Sequence, residues 1–90
     1  MSETGEARLK RMKMRSWRRG MKEMDLILGP FAEAHLGGMS EDRLAIFDKL
    51  LEENDQDLLP WILGQNSAPA YLTEMIAEIG IYARGRLAVS

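Results

Sequence analysis

The sequence contains no cysteine, which excludes both a disulfide framework and a thiolate metal site. That absence fits a reducing compartment. No apolar run approaches the roughly 18 to 20 residues that a membrane-spanning helix needs. The first residues lack the apolar centre of a secretory signal, and Glu3 and Glu6 argue against a transit peptide despite the basic stretch behind them. A cytoplasmic location is expected. Sustained period-two alternation is missing and β-branched residues are scarce, so strands have no support. Catalytic signatures are missing as well: there is no glycine-rich phosphate loop, no nucleophile elbow and no HExxH motif. The one histidine, His35, has no cysteine or second histidine with which to share a metal. Asp55 and Asp57 could be read as a carboxylate pair for acid–base work, but helix capping is the simpler account. No active site, metal or cofactor site is expected.

What is present is one domain's worth of chain. Ninety residues leave no room for a second core, and 46% hydrophobic with 29% charged residues is the balance of an ordinary globule. Residues 1–90 are read as a single helical domain with an ordered core of about 6–85. The net charge of −2 hides a segregation. Arg8, Lys10, Arg11, Lys13, Arg15, Arg18, Arg19 and Lys22 are eight of twelve basic residues, and no acid lies between Ala7 and Lys22. Such asymmetry points to a partner or a polyanion at that end, or to a solvated basic helix face.

Apolar spacing predicts five short helices, an all-α bundle. The first covers about Glu6 to Trp17, with Leu9, Met12, Met14 and Trp17 as a narrow inward edge. The second covers about Gly20 to His35, with Met24, Ile27, Leu28 and Phe31 on one face beside Met21. Gly29-Pro30 should kink or break it, and Gly37-Gly38 should stop the chain's helical run. Ser40 is an N-cap for a third helix carrying Leu44, Phe47, Leu50 and Leu51, ending near Glu53. Asp57 or Asp55 caps a fourth with Leu58, Trp61 and Ile62, Pro60 favouring Asp57 because proline is tolerated in a first turn. Gly64 closes it. A fifth helix buries Leu72, Met75, Ile76, Ile79 and Tyr82 up to Gly85, with the last few residues frayed.

The stretch "RRGMKEMD" raises a separate question. If the second helix includes Arg19, then Arg19 and Glu23 stand one turn apart with Gly20 beside them. An exposed pair of this kind contributes only a few tenths of a kcal/mol. Glycine there costs up to ~1 kcal/mol against alanine. Either the backbone bends at Gly20 or another surface approaches too closely for a side chain. The second option makes Arg19-Gly20-x-x-Glu23 a docking surface in a helical backbone, with Arg19 and Glu23 mostly solvent-accessible.

Together, "RRGMKEMD", "LGPF", "MSEDRLAIFDKLLE" and "DQDLLPWILG" resemble the SdhE/YgfY family, over about Arg8 to Ala83. This family is the bacterial counterpart of the mitochondrial succinate dehydrogenase assembly factor. The resemblance implies a small monomeric five-helix protein, not an enzyme, that binds the flavoprotein subunit of succinate dehydrogenase and in some bacteria that of fumarate reductase. It implies assistance to covalent attachment of FAD, through its 8α-methyl carbon, to a histidine of that subunit. The family's RGxxE interface falls on Arg19, Gly20 and Glu23, with Arg18 added to the partner-binding set. The competing classes are a nucleic-acid binder using the basic first helix, and an antitoxin-like regulatory module. Against the former, the bases spread around the helix and only Trp17 could stack on a base. No stable FAD binding by this chain is expected, because it has no dinucleotide fingerprint.

Overall fold

The computed structural model describes residues 3–89, with side chains described for residues 3–85. Five α-helices follow in order: α1 (Gly5–Trp17), α2 (Lys22–His35), α3 (Glu41–Leu50), α4 (Asp55–Ile62) and α5 (Thr73–Val89). Single 3-10 turns at Leu36–Gly38 and Ala70–Leu72 lead out of α2 and into α5. Among the described residues there is no strand, and the all-α expectation holds.

Local rules set the helix ends. The Thr4 hydroxyl accepts the Ala7 N–H at 3.1 Å to cap α1. Ser40 caps α3 as its position predicts, accepting the Arg43 N–H at 3.3 Å. At the far end of α4, Gly64 takes φ +77° and its N–H reaches the Trp61 carbonyl at 3.1 Å, while the Gln65 N–H reaches the Pro60 carbonyl at 2.8 Å. That pair of bonds is a Schellman ending, and it depends on the positive φ that glycine adopts without strain.

Several boundaries differ from expectation. Helix α2 begins at Lys22 rather than Gly20, and it runs through Gly29-Pro30 without a break. The carbonyl that Pro30 cannot bond belongs to Leu26, and the helix forgoes that one bond and continues. Helix α3 stops at Leu50 rather than near Glu53. The cap of α4 is Asn54, neither Asp57 nor Asp55, which places Pro60 inside the helix beyond its first turn. Its missing bond falls to the carbonyl of exposed Gln56. Helix α5 continues past Gly85 to Val89, and Ser90 lies outside the described residues.

The core is built as the spacing predicts. Leu44, Phe47, Leu51, Leu72, Met75, Ile76 and Ile79 are buried together with Met24, Leu28 and Phe31, whereas Trp61 is only half-buried. Each fully buried side chain of this size contributes roughly 1.5–3 kcal/mol. Phe31 stacks on Phe47 at 5.9 Å and meets Tyr82 edge-on at 5.7 Å, tying α2 to α3 and α5. His35 sits against Phe31 and Tyr82 in the same aromatic group, a structural place.

Helix α1 attaches differently. Met12 is its one buried apolar side chain, and Ser16 is buried with its hydroxyl donating to the Met12 carbonyl at 2.8 Å. Met14 is exposed rather than part of its inward edge, while Trp17 packs on Gly29 of α2 and keeps 40% of its surface exposed. Much of the attachment is ionic. The Arg11 guanidinium donates twice to Asp48, at 2.9 and 2.8 Å, and also pairs with Glu3. Its two-pronged bond holds the Asp48 carboxyl below the usual carboxylate range. Arg8 pairs with Glu41, and Lys13 with Glu33 at 3.7 Å. Arg15 donates to the Leu51 carbonyl at 3.1 Å. The basic segment is therefore not mainly a solvated face: most of its cations bind elements of their own fold. Among the described residues, Lys10, Arg18 and Lys22 are the members of the group of eight without such a bond.

Candidate partner-docking site

Helix α1 ends at Trp17, with Arg18 as its C-cap, and α2 starts after Met21. The four residues between them reverse the chain. The reversal hinges on Gly20, which takes φ +97°. A side chain there would meet no atom within 4 Å, so space is not what glycine supplies. Conformation is. The helical-backbone reading of Gly20 is corrected: this is a bend at a φ that residues with a Cβ avoid. Gly20→Ala is expected to lower stability by ~1–3 kcal/mol, with Gly20→Asn falling between the two because asparagine tolerates positive φ better. Thermal melting checks this, and an alanine variant melting at or above the wild-type temperature would contradict it.

Arg19 is fixed at both ends. Its backbone N–H donates to the Asp25 carboxylate at 2.6 Å. Its side chain crosses to the segment joining α3 and α4. There Nε donates to Asp55 at 2.9 Å, and the two terminal nitrogens donate to the carbonyls of Leu51 and Glu53, the latter at 2.6 Å. Only 8% of the side chain is exposed, and 13% of Asp55. The expectation of a solvent-accessible Arg19 paired along the helix with Glu23 is thus overturned. Arg19 precedes α2, so the one-turn spacing never arises, and the α3–α4 segment offers three acceptors matched to a guanidinium fork.

Glu23, by contrast, is exposed in the first turn of α2 and makes no ion pair among the described residues. Arg18 and Lys22 are also exposed. The loop therefore turns Arg19 inward and leaves Arg18, Gly20 and Glu23 on the outside. Beside it lies an open cleft of about 390 Å³ lined by Arg19, Gly20, Met21, Asn54, Asp55 and Gln56. Among the described residues, no group of three metal-ligating side chains occurs. No described helix is long and apolar enough to cross a membrane.

The family described as "Flavinator of succinate dehydrogenase" matches residues 10–83, a span that includes the whole loop. The chain belongs to this family. Its relatives agree. It is 37% identical over 62 residues to the "FAD assembly factor SdhE" of Legionella pneumophila (strain Lens), covering 69% of this chain and 78% of that protein. It is 35% identical over 86 residues to the mitochondrial succinate dehydrogenase assembly factor 2 of Schizosaccharomyces pombe, covering 93% of this chain. The chain spans 62% of the length of that fission-yeast protein.

Within this flavinator-family fold, the four residues expected to bind a partner do not form one uniform surface. Arg18, Gly20 and Glu23 are placed outward, while Arg19 is an internal brace. Two contributors escaped the sequence reading, Asp25 and the α3–α4 segment. Asp25 carries one weak signal, an acid inside the first turn and a half of a helix whose N-cap, Met21, has no capping side chain. The carbonyls of Leu51 and Glu53 have no sequence signal at all.

Proposed function

We propose that this protein is a non-catalytic, cytoplasmic assembly factor that docks as a monomer on the flavoprotein subunit of succinate dehydrogenase, or of fumarate reductase, and promotes covalent attachment of FAD to a histidine of that subunit. The observation that carries the reading is the braced loop, in a chain of this family, which turns Arg18, Gly20 and Glu23 outward on a fixed backbone. Pre-ordering a contact loop lowers the entropy lost on docking.

Joining FAD through its 8α carbon places negative charge on the flavin ring. The flavoprotein's own groups can stabilise that charge once they are correctly placed. A partner that favours the arrangement in which flavin and histidine meet accelerates the step without contributing a reacting group. Such a helper needs a shaped surface rather than an active site, and must dissociate afterwards.

Glu23 provides the direct test. As an exposed side chain without an ion pair, its replacement by alanine is expected to change stability by no more than about 0.5 kcal/mol. Flavinylation of the co-expressed flavoprotein, followed by in-gel flavin fluorescence, is expected to fall on the order of tenfold, the effect of losing about 1.4 kcal/mol of docking energy. Collapsed melting with intact flavoprotein binding would mark Glu23 as structural and defeat the assignment.

A further inference from the structure

The loop's outward residues adjoin a patch that the motif does not include. Trp17, the last residue of α1, lies over Gly29 in the middle of α2, so closely that a Cβ on Gly29 would overlap the indole ring. Even so, 40% of Trp17 remains exposed. Met14, three residues before Trp17, is 46% exposed, and Leu26, three residues before Gly29, is 55% exposed. Residues three apart on a helix are surface neighbours, so Met14 lies beside Trp17 on α1 and Leu26 lies beside Gly29, the residue the indole covers. The same spacing runs from Leu26 back to Glu23, and Lys22 is one turn before Leu26. Arg18 follows Trp17 directly.

Packing alone does not account for this arrangement. A mid-helix glycine costs roughly 1 kcal/mol against alanine, yet the ring it admits is left partly in water. Polar residues at positions 14 and 26 would serve stability equally well, since neither side chain enters the core. Isolated exposed apolar side chains are ordinary, but two placed beside a partly exposed ring form a patch of the kind that marks an interaction site.

We infer that Met14, Trp17 and Leu26 are the apolar centre of the flavoprotein-docking surface, with Arg18, Lys22 and Glu23 as its charged rim. This rests on the assembly-factor reading and extends it from the loop onto the α1–α2 face. Two observations select the occupant. The patch is continuous with Arg18 and Glu23, and its rim charges make no ion pair among the described residues, whereas most α1 cations are paired internally. A flat aromatic anchor inside a polar rim is the usual anatomy of a transient interface. The complementary surface on the flavoprotein is accordingly apolar, with carboxylates facing Arg18 and Lys22 and a cation facing Glu23.

The test uses the full chain and the purified flavoprotein subunit of succinate dehydrogenase from the same genome. In a Trp61→Phe background Trp17 is the sole indole of this chain; incorporated as 5-hydroxytryptophan and excited to the red of ordinary tryptophan, its emission should shift to the blue on binding and its quenching by acrylamide should fall. Met14→Ser and Leu26→Ser should each weaken binding on the order of tenfold, with melting temperatures within about 2 °C of wild type. If the flavoprotein binds the wild type but both serine variants bind equally well and Trp17 stays quenchable, this inference fails and the assembly-factor reading stands. If the wild type does not bind the flavoprotein at all, both fail. A wild-type dimer that Leu26→Ser turns into a monomer would assign the patch to a second copy and overturn the inference.

Discussion

Arg19→Met is expected to destabilise the domain by about 3 kcal/mol, the lower end of the range for breaking a buried ion pair. Methionine keeps most of the length and apolar stem but none of the donors. The Asp55 carboxylate, 13% exposed, loses its ion-pair partner, and the Glu53 carbonyl loses the Arg19 donor. Leu51 suffers less because Arg15 also donates to its carbonyl. Leaving a shielded charge unpaired costs more than the pair itself gains, so removing both partners should restore part of the loss. Arg19→Met with Asp55→Leu is therefore expected to melt above the sum of the two single effects. Arg19→Lys should not rescue fully, since an ammonium cannot span three separated acceptors as a fork does. Chemical denaturation of the four variants measures this directly. An Arg19→Met protein as stable as the wild type would show that the brace carries no stability.

The functional consequence separates Arg19 from Glu23. In the sequence the two look alike, one positive and one negative member of a short motif. In the structure one is hidden and the other exposed. Loss of flavinylation in an Arg19 variant is expected to accompany loosening of the α1–α2 loop, and to recover partly at low temperature. Loss in Glu23→Ala should be independent of temperature wherever the domain stays folded. The same phenotype would then have two physical origins.

Helix number, the Ser40 cap and the buried faces of α3 and α5 were readable because each is a local rule repeated along the chain: a periodic apolar stripe ended by a polar cap or a glycine. The start of α2 was not. Gly20 could be a bend or a flat spot, and only the path of the chain on both sides decides that. The side on which Arg19 falls depends on acceptors 32 to 36 residues away, among them two carbonyls that any residue type could supply. Apolar spacing puts Trp17 on the inward edge of α1, and the ring does pack inward, on Gly29 of α2. How much of the ring stays exposed depends on where α2 sits against α1, a tertiary quantity. The charge segregation was visible but ambiguous. Its resolution, cations of α1 bonded to acids of α3, needed the two helices side by side.

Phe47→Ala is expected to remove about 3–5 kcal/mol, as large-to-small changes at fully buried aromatic positions do. The ring has no exposed surface, and it stacks on Phe31, itself enclosed by His35 and Tyr82. These neighbours belong to α2 and α5, whose backbones are fixed by their own core contacts, so collapse into the space left by the ring is limited. A domain of this size has a total stability of about 5–13 kcal/mol. The variant should thus melt tens of degrees lower, at about 4–8 °C per kcal/mol, and be largely unfolded at growth temperature if the wild type sits near the low end. Phe47→Leu refills most of the volume and should lose far less. The comparison also bears on function: α2 carries Glu23 at its start and Phe31 in its third turn, so a cavity behind Phe31 loosens the helix that presents the proposed docking residues. Flavinylation should follow the folded fraction across the two variants when both are assayed over a temperature series. A Phe47→Ala protein that melts within about 2 °C of wild type would mean that the aromatic group is not the centre of this core.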